Sequence, residues 1–431
     1  MSKFEWYEEF VDLTYKPSES DLIAVFKVKP RGITLKEAAG RVASESSIGT
    51  WTTLTTMTED LRRLMARVYE LREDGIIKVA YPLELFEPNS VPQILSSIAG
   101  NVFGMRALEA LRLIDAKLPK ELVKYYKGPQ FGIKGVREKL KVYGRPITAT
   151  VPKPKVGLDT ERYAKVAYEI LSGGVDLLKD DENLTNQKFN PFMKRLDAVM
   201  KVIDKVEIET GEKKGYLVNI TAETKEMIKR AKAVADYGNE FVMIDILTAG
   251  WAALQTLREE LEELKLAIHA HRAFHAAFTR NPDHGMSMLM VAKLARLIGV
   301  DHIHIGVPVG KMEAKVKNVL MIQREITENV FVPEDDTLLK QEWHHIKPVF
   351  PVASGGLHPG LLPKVVEVMG VDIIIQVGGG VLGHPDGAYA GAKAVRQALD
   401  AAIKNIPLKE HAEKHKELRR ALEKWGYVRP K

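Results

Sequence analysis

From about residue 147 onward the chain repeats one pattern eight times, an apolar strand-like run followed by a helix-like segment. The strand-like runs are Ile147–Pro152, Val175–Leu178, Tyr216–Ile220, Phe241–Leu247, Leu266–His271, His302–Ile305, Val349–Ala353 and Ile373–Val377. The clearest helix-like segments are Ala222–Ala235, Trp251–Leu264, Met286–Leu297, Lys315–Thr327, Leu362–Met369 and Ala388–Ile403. Eight alternating units of about 30 residues predict a closed (β/α)8 TIM barrel, an α/β fold whose active site lies at the C-terminal ends of the strands.

The segment before this repeat has mixed patterns. Leu22–Val28 and Ile76–Phe86 are typical of strands, whereas Leu35–Ser44 and Glu59–Glu73 are typical of helices. Strands and helices that do not alternate regularly predict a smaller α+β domain in front of the barrel.

We therefore predict an N-terminal α+β domain of ferredoxin-like type at 1–125, a catalytic barrel at 126–406 and a basic helical C-terminal tail at 407–431. Two polar or glycine-rich pieces interrupt the first domain, ESSIGTWTT from Glu45 to Thr53 and AGNVFG from Ala99 to Gly104. Neither piece has an obvious packing role.

Composition excludes several classes of protein. The formal charge is +6, but the tail from Pro407 to Lys431 holds eight Lys/Arg and four Asp/Glu, so the body is nearly neutral and no nucleic-acid surface is expected. The chain has no cysteine, which excludes disulfides and thiolate metal sites. No apolar run approaches the roughly 20 residues that span a membrane. The N-terminus lacks a signal-peptide pattern, so we expect a cytoplasmic protein without a membrane partner.

Unusual polar residues follow the strand-like runs at their C-terminal ends. They are Lys153 and Lys155 after the first run, Lys179–Glu182 after the second, His271 and Arg272 after the fifth, His304 and Lys311 after the sixth, Ser354–Gly356 after the seventh and Gly378–Gly380 after the eighth. Independent surface charges would not all fall at one end of a barrel. The distribution therefore predicts a single active site there.

The charge cluster after the second run suits a hard cation. Period-two alternation sends Lys179 and Asp181 to one side of the strand, with Glu182 free to turn in as the strand ends. Mg²⁺ usually takes one or two carboxylates with water and substrate oxygens. A lysine fits beside it only as a neutral amine, which can add CO₂ and become a carbamate oxygen ligand; desolvation lowers a lysine pKa toward that state. The alternative is a solvated surface cluster.

The glycine clusters after the last two runs are typical of a barrel phosphate site built from backbone N–H groups. Cationic Lys311, Arg272 and His304 would face the same anionic substrate. The alternative for these glycines is an ordinary turn. Gly378–Gly383 also matches a dinucleotide fingerprint, but no βαβ unit follows, so we reject nicotinamide binding.

Two histidine pairs suggest a zinc site as the serious alternative. The candidates are His269, His271, His275, His302 and His304, and an HxH pair on a strand points both rings to one side. Barrel metallo-hydrolases combine such a pair with a carbamylated lysine, but their pair precedes the lysine, whereas here the lysine comes first. For His269, His275 and His302 we expect hydrogen-bonded structural roles.

Taken together, these segments resemble the large subunit of ribulose-1,5-bisphosphate carboxylase/oxygenase (RuBisCO), from about Asp21 to about Ala402. The matching pieces are ESSIGTWTT, GNVFG, KPKVGL, GGVDLLKDDEN, HAHRAFH, DHIHIGVPVGKME, PVASGG and QVGGGVLGHP, in the family's order. The length and the absence of plant-type extensions are similar to the archaeal (type III) branch, which works without small subunits.

The resemblance implies metal and catalytic roles, residue by residue. Lys179, as the carbamate formed with activator CO₂, would bind Mg²⁺ together with Asp181 and Glu182. Among the other residues of the site, Lys153 would act as an acid/base, and Lys155 would hold Lys153 and the carbamate in place. His271 would take part in proton transfer. Lys311, on a mobile loop, would stabilise the incoming carboxylate.

The resemblance also implies a substrate-binding set. Arg272 and His304 would bind one phosphate, and the other would be bound by Thr50, Trp51, Gly356, Gly378 and Gly379. Ser354 would contact a sugar hydroxyl, Glu45 would pair with Lys311, and Asn101 would contact the metal-bound substrate region. Gly355 and Gln376 complete the substrate-binding set. Thr50, Trp51 and Asn101 would act across a homodimer interface, which implies shared active sites within larger homo-oligomers.

The implied function is Mg²⁺-dependent carboxylation of ribulose 1,5-bisphosphate through an enediolate, giving two 3-phosphoglycerate, with O₂ as a competing substrate in an oxygenase (monooxygenase) reaction. The archaeal branch implies a place in AMP and nucleotide degradation. The alternatives are a RuBisCO-like enolase or isomerase of methionine salvage and a non-catalytic sugar-bisphosphate-binding protein. Retention of Lys311, Asn101, Thr50 and Trp51 disfavours the first alternative, and the acid/base set with Lys153 and Lys179 disfavours the second, since binding alone does not need it.

Overall fold

The computed structural model describes residues 5–309 and 313–427. Its strands are β1 Leu22–Pro30, β2 Arg67–Leu71, β3 Ile76–Tyr81, β4 Leu108–Lys117, β5 Ile147–Thr150, β6 Leu177–Lys179, β7 Gly215–Asn219, β8 Phe241–Asp245, β9 Ala267–His271, β10 Gly285–Met286, β11 His302–His304, β12 Val330–Phe331, β13 Gln341–Glu342, β14 Phe350–Ser354 and β15 Ile374–Gln376. None of the described helices is long and apolar enough to cross a membrane.

The α-helices are α1 Leu35–Glu45, α2 Val91–Ile98, α3 Lys120–Val123, α4 Gly132–Leu140, α5 Thr160–Ser172, α6 Phe192–Thr210, α7 Thr224–Asp236, α8 Ile246–Ala249, α9 Trp251–Leu264, α10 Ala276–Thr279, α11 Met288–Ile298, α12 Glu313–Thr327, α13 Leu362–Met369, α14 Gly379–Leu382, α15 Ala388–Ile403, α16 Leu408–Lys414 and α17 Lys416–Trp425. Short 3-10 helices lie at Glu5–Phe10, Glu59–Leu64, Leu83–Leu85, Asn101–Gly104 and Pro359–Leu361.

The chain divides into two compact units. The first comprises the described residues up to 128 with 274–298 and 328–346, and the second comprises 129–273, the described parts of 299–327, and 347–427. The first unit holds a five-stranded sheet in the order β10-β4-β1-β3-β2. Thr34 caps the amino end of helix α1, where its side chain accepts a hydrogen bond from the Glu37 N–H. The helix packs its alanine-rich face on this sheet.

One sequence prediction in the first unit is wrong. Glu59–Glu73 is not a helix: a 3-10 helix ends at Leu64, and β2 then pairs antiparallel with β3. The apolar spacing of this segment is compatible with a helix, but cross-strand pairing buries Val68 and satisfies the backbone. The strand expected at Ile76–Phe86 ends earlier, at Tyr81, because Pro82 has no N–H to donate.

The second unit is a closed barrel of eight parallel strands. Their order is β11-β14-β15-β5-β6-β7-β8-β9, and each predicted strand-like run overlaps one of them. The prediction of a (β/α)8 barrel with a separate N-terminal domain is confirmed.

A hydrophobic cluster fills the amino end of this barrel. It is built from the first residues of several strands, including Leu177, Phe241 and Phe350, together with Val136 and Leu140 of α4. Helix α4 therefore covers the end where the strands begin, and the opposite end remains for polar side chains.

Candidate active site

Several strands end in a polar residue at the carboxyl end of the barrel. These terminal residues are Lys179 in β6, Asp245 in β8, His271 in β9, His304 in β11, Ser354 in β14 and Gln376 in β15. Because the strands are parallel and form one closed barrel, their carboxyl ends share one rim. The structure thus brings together the second-unit residues that the sequence singled out.

The two adjacent aspartates after β6 have opposite environments. The Asp180 carboxylate is fully buried and accepts hydrogen bonds from the hydroxyls of Tyr163 and Tyr216, each at 2.6 Å, and from Arg195 at 3.2 Å. The Asp181 carboxylate instead accepts a hydrogen bond from Lys153 Nζ at 3.0 Å. The predicted alternation along this strand end is therefore observed, with Asp180 in the helix layer and Asp181 beside Lys153.

Lys179 is a fully buried lysine. Burial lowers the pKa of its amine from the ordinary value, while the carboxylates of Glu182, Asp245 and Asp181 act in the opposite direction. Its Nζ donates a hydrogen bond to the backbone oxygen of Asp180 at 2.8 Å. Among the described residues, no ion pair joins Lys179 to Asp181 or Glu182.

Glu182 and His271 connect the cluster to the next strands. His271 Nε2 lies 3.7 Å from Glu182 Oε2, and His271 Nδ1 lies 3.0 Å from Asp245 Oδ1. Sequence reasoning missed Asp245, although an aspartate inside the apolar run Phe241–Leu247 was an available signal. It also missed Asn219, whose Nδ2 donates to the backbone oxygen of Glu182 at 3.3 Å.

Three buried histidines form a hydrogen-bonded chain inside the barrel. His269 Nε2 lies 2.8 Å from His304 Nε2, and His269 Nδ1 lies 3.2 Å from His302 Nδ1. His304 Nδ1 reaches Ser354 Oγ at 2.7 Å. Burial lowers the pKa of His302 to about 3 and the pKa values of His269 and His304 well below the ordinary range, so the three rings are neutral at pH 7.

The geometry does not support the zinc alternative. Across residues 5–309 and 313–427, no three His, Asp or Glu side chains are arranged to hold a metal ion. His275 lies in the first unit, where its Nδ1 is 2.8 Å from Thr279 Oγ1.

Arg272 is a half-buried cation near His304, in the hydrogen-bonded histidine chain. Burial lowers the pKa of its guanidinium to about 10, and no carboxylate of the described residues offsets that effect. A Cβ atom at Gly306 would lie 3.5 Å from its Nη2. Arg272 therefore remains charged at pH 7, and no carboxylate of the described residues forms an ion pair with it.

The first of the two glycine turns has a backbone shape that requires glycine. Gly355 has φ +116° and Gly356 has φ +64°, which side chains rarely adopt. A Cβ at Gly378 would lie 3.5 Å from Lys153 Cε, whereas one at Gly379 would meet nothing within 4 Å. The Gln376 side-chain oxygen is buried without a hydrogen-bond partner in the described structure.

The remaining predicted site residues are described within their own units. Glu45, Trp51 and Asn101 line a cavity of about 640 Å³ in the first unit, and the Trp51 side chain is 69% exposed. Thr50 adjoins Trp51 and is half-buried. Lys155 is exposed, and no hydrogen bond joins it to Lys153 in the part of the chain that the structure describes. The predicted Lys311 lies outside the described residues.

The fold and the rim define an α/β-barrel protein with buried lysine, carboxylate and histidine side chains at the carboxyl ends of its strands. Residues 9–122 match the N-terminal domain of the ribulose bisphosphate carboxylase large chain, and residues 132–425 match its catalytic domain. The chain therefore belongs to the ribulose bisphosphate carboxylase large chain family.

Relatives agree over the full length. Ribulose bisphosphate carboxylase of Pyrococcus abyssi is 55% identical over 100% of this chain and 99% of its own, and that of Archaeoglobus fulgidus is 52% identical over 100% of both. The predictions of an archaeal-type relationship and of a ribulose-bisphosphate carboxylase enzyme are confirmed.

Solved structures are equally similar. Dimeric archaeal Rubisco from Hyperthermus butylicus has a TM-score of 0.94 and 59% identity, covering 98% of this chain and 100% of that chain. Octameric Rubisco from Pyrococcus horikoshii has a TM-score of 0.92 and 53% identity, covering 99% of each chain.

Proposed function

We propose that the protein carboxylates ribulose 1,5-bisphosphate to two 3-phosphoglycerate in a reaction activated by Mg²⁺ and CO₂, with O₂ as a competing substrate. The observation that carries this proposal is the fully buried Lys179 beside Asp181 and Glu182, at the barrel rim of a chain of this family. A lysine that served only solubility or surface pairing would not be buried among carboxylates.

The donor set fits a divalent cation. Burial favours the neutral amine of Lys179, and a neutral amine can add CO₂ to form a carbamate. That anion, with Asp181 and Glu182, would supply three oxygen groups, which is the chemistry Mg²⁺ prefers. The accumulated negative charge would itself need a cation. When bound, Mg²⁺ supplies Lewis-acid stabilisation of the charge that develops on the substrate oxygens.

The side chains around this set carry the proton transfers. Lys153, held by Asp181 at 3.0 Å, would act as an acid/base at the reacting carbons, and Lys155 would support it once substrate is bound. His271 would move a second proton, with Asp245 orienting its ring at 3.0 Å. Lys311 would stabilise the new carboxylate and exclude water.

Two anion sites would hold the substrate phosphates. Arg272 retains its charge in a half-buried position, so together with His304 it would bind one phosphate as a hydrogen-bonding anion site. Ser354, which is hydrogen-bonded to His304, would contact a sugar hydroxyl. The other phosphate would use backbone N–H groups of the glycine turns, namely Gly355, Gly356, Gly378 and Gly379, with Gln376 beside them.

The first-unit residues would complete the site from a neighbouring subunit. Trp51 exposes a large aromatic side chain, which is typical of a surface that is covered on association. With Thr50 and Asn101 it would face the partner's barrel, and Glu45 would pair with Lys311. The similar proteins are described as dimeric and octameric, so we propose a homodimer within larger homo-oligomers, without small subunits.

The cellular setting follows from the archaeal relatives. We propose a cytoplasmic enzyme of AMP and nucleotide degradation, because the similar proteins include archaeal ribulose bisphosphate carboxylases. Carboxylation, by the purified protein, of ribulose bisphosphate that has been generated enzymatically from AMP would support this cellular role.

A carboxylase assay tests the proposal. Purified protein with Mg²⁺, labelled bicarbonate and ribulose 1,5-bisphosphate should form labelled 3-phosphoglycerate, and EDTA should abolish this. Lys311→Ala should retain proton exchange at the substrate C3 while losing carboxylation. Absence of labelled product with intact protein refutes the proposed function, and equal loss of exchange and carboxylation refutes the role of Lys311.

A further inference from the structure

The C-terminal helix α17 contacts the two glycine turns of the second unit. Trp425, at its last turn, stacks on His358 with ring centroids 5.9 Å apart and an interplanar angle of 29°. The same indole meets His384 edge-on, with centroids 6.4 Å apart. His358 follows the turn after β14 and His384 follows the turn after β15, so one side chain touches both segments.

Polar contacts fix the same helix to the second turn. Lys424 Nζ donates a hydrogen bond to the backbone oxygen of Gly383 at 2.6 Å. The Asp386 N–H donates to His384 Nδ1, so the proton of this ring lies on Nε2, which donates to the Glu417 backbone oxygen at 2.9 Å.

The two turns also contact each other directly beneath Trp425. A Cβ atom at Gly380 would lie 2.5 Å from the Leu357 oxygen and 2.7 Å from the His358 Cα, so these backbones are packed without room for a side chain. A Cβ at Gly360 would collide with the Gly426 oxygen at the end of α17. Displacement of one turn would therefore displace the other, and α17 contacts both.

Backbone N–H groups bind an anion well only when the backbone is already in place, because ordering a loop on binding costs free energy. In the turn at Ser354–Gly356, Ser354 is tied to His304, but the two glycines that follow are exposed, have positive φ and carry no side chain to hold them. We propose that Trp425 and Lys424, which we call the C-terminal brace, are positioning residues for the phosphate-binding turns. This inference rests on the proposed function, since it assigns those turns to a substrate phosphate.

The test compares Trp425→Ala with Trp425→Phe and with Arg419→Ala. Arg419 lies on the same helix, is exposed and does not contact the turns, so its variant controls for changes in the helix surface. KM and kcat are measured with ribulose 1,5-bisphosphate. Amide hydrogen exchange is measured separately by mass spectrometry, in the full-length protein without ligand. Lys424→Met provides a milder variant, in case Trp425→Ala does not fold.

We expect faster exchange at 355–361 and 378–384 in Trp425→Ala, with KM for the bisphosphate raised about tenfold and kcat within twofold of wild type. Trp425→Phe should restore most of the affinity, Lys424→Met should raise KM about threefold, and Arg419→Ala should match wild type.

Unchanged exchange at both turns, or an unchanged KM in the folded variants, overturns the brace. An equal fall in kcat with no KM change also overturns it, since that pattern indicates a role other than phosphate positioning. Failure of the proposed function is distinguishable, because the wild-type protein would then neither bind nor carboxylate the bisphosphate.

Discussion

The two ends of the barrel treat buried charge in opposite ways. At the amino end, the buried Asp176 accepts two hydrogen bonds from Arg145, each at 2.7 Å, and a third from the Thr148 N–H at 2.8 Å. Asp301 is saturated by three backbone N–H groups, those of Phe131, Gly132 and Ile268. These two buried carboxylates therefore have their partners inside the protein.

At the carboxyl end, the Asp180 carboxylate also has its partners inside the protein, but two cations are left with capacity to spare. Lys179 is equally buried, yet its amine donates to one backbone oxygen, and Arg272 has no offsetting carboxylate among the described residues. A buried charge without a full set of partners lowers stability. The difference teaches that the amino end is built for stability, whereas the carboxyl end accepts a stability cost to remain available for ligands.

The largest expected effect is on activity at the carboxyl end. Lys179→Met keeps most of the side-chain volume and removes the amine, so carbamate formation is impossible. We expect carboxylation to fall by about a thousandfold or more, because several kcal/mol of metal stabilisation are lost. The melting temperature should stay the same or rise, because a buried amine is removed. Activity within tenfold of wild type would show that Lys179 is not the metal-binding group.

The next effect is on stability at the amino end. Asp176→Ala leaves the partly buried Arg145 guanidinium without its carboxylate and the buried Thr148 N–H without its acceptor, and we expect a loss of about 3 kcal/mol in the free energy of unfolding. Denaturant unfolding measures it. Asp236→Ala, at an exposed position, is the matched control and should change stability by less than about 0.5 kcal/mol. Equal stability of the two variants would contradict the contrast between the ends.

A smaller effect on activity is expected from the residue that orients His271. Asp245→Asn keeps the size of the side chain but removes the charge 3.0 Å from His271 Nδ1. We expect kcat to fall about 10- to 100-fold with KM within threefold, as for other groups that orient a functional histidine. Steady-state kinetics on the folded variant decides this, and a kcat within twofold of wild type would remove Asp245 from the site.

The smallest effect is a pH dependence at the C-terminal helix. The hydrogen bond from Gln397, together with the nearby Lys393 ammonium, holds the pKa of the Glu417 carboxyl at about 2, below its ordinary 4.5. The backbone oxygen of Glu417 also accepts the hydrogen bond from His384. A carboxyl with a depressed folded-state pKa contributes stability above pH 4.5, and this contribution is lost as the pH falls toward 2.

Glu417→Gln should therefore flatten the fall in melting temperature between pH 5 and pH 2. The difference between variant and wild type in the free energy of unfolding that is lost over this pH range should be about 1 kcal/mol at most, because the Glu417 side chain is partly exposed. Identical acid profiles for the variant and the wild type would show that this ion pair does not hold the helix.

Much of the barrel could be predicted from the sequence because buried parallel strands are short apolar runs with polar ends. The same local rule separated Lys179 and Asp181 from Asp180, since neighbouring side chains in a strand point to opposite sides. The segment Glu59–Glu73 could not be predicted in this way, because its apolar spacing fits a helix while its partner strand lies elsewhere in the chain.

Partners that are distant in sequence were beyond local patterns. Asp245 meets His271 26 residues later, and His269 meets His304 35 residues later, so neither pairing is visible in periodicity. The tail after Pro407 showed only a basic helical composition, although its Trp425 packs on His358 and His384.

The sequence by itself determined the eightfold strand and helix alternation and the gathering of polar groups at one barrel end, because both follow from local periodicity and parallel strand direction. Only the tertiary structure decided which buried charges are saturated and which remain available, and where the last helix packs. Those outcomes depend on contacts between residues brought together by folding, and on how much water each group loses there.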